Sequence, residues 1–152
     1  MKNGLEIVHI FDGANKRLII PVYQRKYAWS KPQCERLFSD IEAMIESDQP
    51  SHFFGSIVGK AEGSFEWQVI DGQQRLTTTS LLMLALVHSI EDREIECSDP
   101  NLASSIKESY LLARQGGESV LKLKPIEDDA SAYEAVFNRY QVLPEESNIV
   151  RN

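Results

Sequence analysis

The stretch QVIDGQQRLTTTSLLML, residues 68–84, decides how the rest of the chain is read. Its first residues continue an alternation, Phe65, Trp67 and Val69 against Glu66, Gln68 and Ile70, that suits a half-buried strand. Gly72 marks a tight turn. Leu76 to Ile90, apolar on nearly every side between Leu81 and Val87, then reads as a helix buried against the sheet. Capping chemistry explains part of DGQQR: Asp71 as N-cap accepts the N–H of Gln73 or Gln74, and Gln74 at N3 reaches back to the Asp71 N–H. Gln73 and Arg75 are left over. An arginine in the first turn meets the positive end of the helix dipole, unfavourable by roughly 0.3 kcal/mol or more unless something negative lies beside it.

Two readings of Arg75 stand side by side. In one, it forms a plain salt bridge with Asp71. In the other, the turn and the helix N-terminus face an anion, and Gln73 and Arg75 add donors. The guanidinium forks onto phosphate oxygens, which leaves Asp71 to hold a divalent cation or orient a water. The stretch is neither a Walker A loop nor a dinucleotide fingerprint.

Upstream, HFFGSIVGKAEGSFEWQVID predicts a hairpin turning at Glu62, Gly63 and Ser64. Gly55 and Gly59 inside it suggest a bulge or the close approach of another group. KRLIIPVYQRKYAW begins as a strand that Pro21 confines to an edge or an end. Extended backbone would then place Tyr23, Arg25, Tyr27 and Trp29 on one side, either as core anchors or as a base-stacking face with a cation. SKPQCERLFSDIEAMIES predicts a helix with a Ser30/Gln33 capping box and an apolar face of Cys34, Leu37, Phe38, Ile41, Met44 and Ile45.

Downstream, EDREIECSDP is an acidic loop and NLASSIKESYLLARQ a second amphipathic helix stopped at Gly116 and Gly117. SVLKLKP suits a single strand ended by Pro125. Asp128 or Asp129 caps a last helix with Tyr133, Val136, Phe137 and Tyr140 on one face. The tail PEESNIVRN has no terminating logic, so the chain is expected to be one end of something longer.

Composition bounds the function. The chain has 152 residues, 42% of them hydrophobic, enough for one core. The net charge of −7 argues against wholesale electrostatic binding to DNA, yet residues 1–36 hold seven Lys/Arg against three acids. No apolar run approaches the roughly 20 residues of a membrane span, and no signal peptide opens the chain, so a cytoplasmic location without a membrane partner is expected. Cys34 and Cys97 lack metal or disulfide spacing, and His9, His52 and His88 are too scattered for a zinc or His-metal nuclease site.

IPVYQRKYAW, FFGSIVG and VIDGQQRLTT, in that order and spacing, resemble the N-terminal domain of the GmrSD-type family of modification-dependent restriction endonucleases and related anti-phage proteins. The resemblance runs from Leu18 to Val87, and LKLKPIEDDASAYEAVF is similar to the family's following segment. It implies an α/β (α+β) fold of ParB/sulfiredoxin type, a small sheet with packed helices. Residues 1–95 would form the nucleotide-binding core and residues 96–152 a helical extension truncated from a longer chain. It further implies that Asp71, Gly72, Gln73, Gln74 and Arg75 form a nucleotide site supporting NTP hydrolysis, with Tyr23, Gln24 and Arg25 as the opposite wall. Asp71 would hold Mg2+ or orient the water, Gln73 or Gln74 would position that water, and Arg75 would neutralise developing charge. The C-terminal nuclease domain of His-Asn-His type that full-length members often carry has no counterpart here, so it would be a missing domain or partner subunit, and DNA cleavage by this piece alone is not expected. Two other classes compete: a non-catalytic nucleic-acid module using the basic N-terminal third and the Tyr/Trp/Arg surface, and a protein-interaction fragment whose helices after Glu91 dock the remainder of a longer chain.

Overall fold

The two apolar runs expected as strands, β1 (Arg17–Ile19) and β3 (Glu66–Asp71), lie side by side and parallel, with Leu18 opposite Trp67. A computed structural model describes residues 6–50, 52–140 and 147–152. β2 (Val58–Glu62) pairs antiparallel with β3 through the expected hairpin, and β6 (Leu123–Lys124) joins β1 in parallel, giving the order β2-β3-β1-β6. The FFGSI part of the first hairpin run stays outside the ladder. Gly59 is both beside a register shift and under a neighbour: a Cβ there would lie 2.2 Å from the Trp67 ring.

One core cluster collects Leu18, Val69 and Leu123 from neighbouring strands together with Phe11 of α1 (Ile7–Phe11), Leu76 and Tyr133. A second gathers Leu84, Val87, Ala103, Leu111 and Phe137. Both lean on α3 (Gln73–Glu91), the longest helix among the described residues. The architecture is thus α+β, as expected.

Several local expectations are corrected. NLASSIKESYLLARQ is helical only through α4 (Leu102–Ile106) and a π-helical turn to Leu111; its last residues are β4 (Leu112–Gln115), which turns at Gly116 and Gly117 into β5 (Glu118–Leu121). SVLKLKP is two strands, because Lys122 breaks the run to donate its ammonium to the Gly13 carbonyl. Burial there lowers its pKa to about 8. Residues after 96 therefore carry three strands as well as helices, and β6 is part of the main sheet. α5 (Glu127–Phe137) starts after Ile126 with no side-chain cap, and Asp129 turns inward. The tail residues 144–146 lie outside the described residues, and Asn148–Arg151 form α6, capped by the Ser147 hydroxyl.

α2 (Lys31–Glu46) begins where expected, with Gln33 Oε1 accepting the Ser30 N–H at 3.0 Å. Its apolar face is a different matter. Only Leu37 is buried, while Phe38 is half exposed and Ile45 is 69% exposed, so this face borders an open apolar groove of about 510 Å3 between α2, α3 and α5. No helix among the described residues is long and apolar enough to cross a membrane.

Candidate functional site

β1 and β3, being parallel, release their chains at the same edge of the sheet, the position where open α/β sheets take ligands. A polar cavity of about 300 Å3 opens there, lined by Gln24, Arg25, Trp29, Asp71, Gly72, Gln73, Gln74 and Arg75. The fold therefore brings every residue of DGQQR together with Gln24 and Arg25 from the strand-end loop. Tyr23 is not among the lining residues; it stands in a turn, 71% exposed.

The capping account of the turn is overturned. The N-cap of α3 is Gly72, not Asp71, and its φ of 91° is left-handed backbone that suits glycine. A Cβ at Gly72 would also lie 2.9 Å from the Ile57 side chain and 3.1 Å from the Ser56 carbonyl oxygen. Asp71 remains the last residue of β3 and its Oδ1 accepts the Gly72 N–H at 2.8 Å. The N–H groups of Gln73, Gln74 and Arg75 precede the first bond across the helix start, from Leu76 N–H to the Gly72 carbonyl, and so have no acceptor within the helix.

Gln74 does something local spacing could not reveal. It reaches across to residues 26–29, where its Oε1 accepts the N–H groups of Ala28 (2.8 Å) and Trp29 (3.2 Å) and its Nε2 donates to the Lys26 carbonyl (3.4 Å). Both ends of the amide are engaged. Gln73 donates Nε2 to the Arg25 carbonyl at 3.2 Å; its side chain is only 7% exposed, and its Oε1 has no hydrogen-bond partner among the described residues. A buried acceptor left over in this way is costly unless a ligand or water supplies the donor.

Arg75 is not in a salt bridge with Asp71. Its Nη1 donates to the Ser56 carbonyl at 3.0 Å, and the guanidinium lies over Gly55, where a Cβ would come within 2.7 Å of it. Among the described residues neither Arg25, Arg75 nor Asp71 has an ion-pair partner within 4.0 Å. The cavity thus carries two uncompensated guanidinium groups and one carboxylate.

The idea of a single Tyr/Arg/Trp face fails on Tyr27. That ring is 5% exposed and its hydroxyl bonds Thr78 Oγ1 at 2.8 Å, with burial pushing its pKa up. Segment 25–30 is neither strand nor helix, so alternation does not apply. Trp29, read from sequence as a core anchor or as part of that face, packs against the core cluster and also lines the cavity. Among the described residues no group of three His, Cys, Asp or Glu side chains is placed to hold a metal on its own.

Fold and cavity define a small α+β domain with a cationic pocket at the carboxyl edge of its parallel strands. Residues 7–152 match the family described as GmrSD restriction endonuclease, N-terminal domain. The chain belongs to that family, which ties it to restriction and anti-phage defence. Comparison with curated proteins gives no match.

Proposed function

We propose that the chain is an NTP-binding and NTP-hydrolysing regulatory domain of a GmrSD-like restriction or anti-phage protein, working with a nuclease-type domain or subunit. The observation that carries this reading is the convergence of Arg25 and Arg75, neither ion-paired among the described residues, on the N-terminal turn of a 19-residue helix beside the buried Gln73 Oε1, which has no partner among those residues either. Guanidinium groups and turn amides suit the phosphates, and Trp29 offers an aromatic wall. Gln73 Oε1 is an acceptor suited to orienting an attacking water, a role that Gln74, with both ends of its amide bonded, does not share. Asp71 Oδ2 is the pocket's candidate Mg2+ ligand. One carboxylate fits, because Mg2+ in phosphoryl-transfer sites takes its remaining ligands from phosphates and water. When bound, the ion would neutralise charge across the phosphates.

Calorimetric titration with ATP, GTP, CTP and UTP, with and without Mg2+, tests the reading directly. Binding of at least one triphosphate with turnover in Mg2+ is expected; no binding of any at millimolar concentration would sink it. A DNA-binding face built from Tyr23, Arg25, Tyr27 and Trp29 would have to do without Tyr27, which is buried.

A further inference from the structure

Segment 25–29 is a strap without secondary structure, and side chains rather than a backbone ladder hold it. On its pocket side are the Gln73 and Gln74 amides described above. On its far side, Asp129 Oδ2 accepts the Tyr27 N–H at 2.6 Å, Asn148 Nδ2 donates to the Ala28 carbonyl at 3.2 Å, and Asn152 Nδ2 donates to the Trp29 carbonyl at 2.8 Å and to the Tyr27 hydroxyl at 3.3 Å. Arg25 and Trp29, the two ends of the strap, both line the pocket. The strap is therefore shared between the pocket in front and α6 behind.

We propose that Asn148 and Asn152 are positioning residues for the nucleotide pocket, and that the docking of α6 and the occupancy of the pocket are coupled through the strap. This rests on the nucleotide reading above. A four-residue helix has no stability of its own, so α6 persists only by docking. Its anchors are Ile149, buried in the cluster that contains Tyr27, and the asparagine bonds to the strap. A ligand that grips Arg25 fixes the strap where these amides can reach it. By linkage it then stabilises docked α6 to the same extent that docked α6 strengthens its binding.

The test titrates the wild-type chain, Asn148→Ala/Asn152→Ala, Arg25→Ala and the triple variant with ATP, GTP, CTP and UTP in Mg2+. The asparagine pair donates three hydrogen bonds to the strap, and its removal is expected to weaken binding about tenfold. In the Arg25→Ala background the same pair is expected to cost clearly less than in the wild type, because part of its effect runs through Arg25 and the rest through Trp29. Unchanged affinity in the pair variant, or losses that simply add, would overturn the coupling while leaving the site intact. No binding by the wild type would instead overturn the nucleotide reading, and this inference with it. Should the pair variant fold poorly, hydrogen exchange on the wild type decides. Saturating nucleotide is expected to slow the amides of Val150, Arg151 and Asn152, and exchange that does not change overturns the proposal.

Discussion

The two halves of α3 bury very different side chains. The first buries Gln73, Gln74, Thr77, Thr78 and Ser80 around a single apolar anchor, Leu76; the second buries Leu84 and Val87. In the first half most of the polar groups are matched: Thr77 and Thr78 hydroxyls donate to the Gln73 and Gln74 carbonyls, Thr78 also meets Tyr27, and Ser80 bonds the Tyr133 hydroxyl, whose pKa burial raises to about 12, while Gln73 Oε1 and Thr79 Oγ1 have no partner among the described residues. In the second half, apolar contacts with Leu111 and Phe137 suffice, and the helix ends in surface ion pairs of Arg139 with Asp92 (2.6 Å) and Glu91 (3.1 Å). Buried polar networks add less to stability than apolar packing of the same volume, but they admit few geometries. The half that bounds the pocket specifies position, and the other half supplies stability.

Substitutions can break this division. The largest effect on stability is expected at Leu84, 1% exposed: Leu84→Ala should cost about 2–5 kcal/mol in urea unfolding. Nucleotide affinity of the folded protein should not change, and a large affinity loss would refute the division. Next comes Gln74→Leu, which strands the Ala28 and Trp29 N–H groups. It should cost about 2 kcal/mol and, unlike Leu84→Ala, abolish binding measured on protein shown to be folded by circular dichroism. Arg75→Ala should leave stability within about 0.5 kcal/mol, since its single hydrogen bond is to an exposed carbonyl, while binding weakens about tenfold or more. If this variant unfolds instead, Arg75 is structural.

Arg139→Ala should cost less than about 1 kcal/mol, shrink further in high salt and spare binding. The smallest effect concerns Asp129, whose pKa burial raises despite the Tyr27 N–H that favours its charged form. The folded chain therefore holds this proton to higher pH than the unfolded chain, and the carboxyl loses stability as pH rises from the ordinary range near 3.9 through its raised value. Comparing urea midpoints of wild type and Asp129→Asn across that window, the wild type should lose ground to the variant as pH increases. A constant difference would show that burial does not perturb the group.

What was legible in the sequence is what neighbours decide. The strand, turn and helix of 66–91, the hairpin before them and the start of α2 follow from alternation, turn residues and a capping box within a few positions. Gly55 and Gly59 suggest a bulge or close approach; Gly59 shows both, and the sequence does not say that Arg75 and Trp67 are the groups above them. Gln74 was misassigned because local spacing offered it a partner three residues away, while its true partners lie on the strap before α2. For Tyr27 the sequence left a core anchor and a stacking face open, and the core anchor is what the fold shows; the alternation behind both readings does not extend past Pro21, where the strand has already ended. Asp129 reads in the sequence only as a helix cap, and Asn148 and Asn152 carry no signal there. Each is an ordinary polar residue whose role exists only once distant segments meet.

The position of β1 also has a consequence for how the protein is made. This three-residue strand sits between β3 and β6, so Leu18 waits for partners at Trp67 and at Leu123. Such distant pairings form slowly, because the intervening chain must first be closed into a loop. Asp129 and α6, which secure the back of the strap, leave the ribosome later still. During synthesis, residues 71–75 are thus present long before the opposite wall of their pocket is fixed. A nascent chain stopped before Asp129 carries the whole motif but none of the contacts that hold the strap from behind.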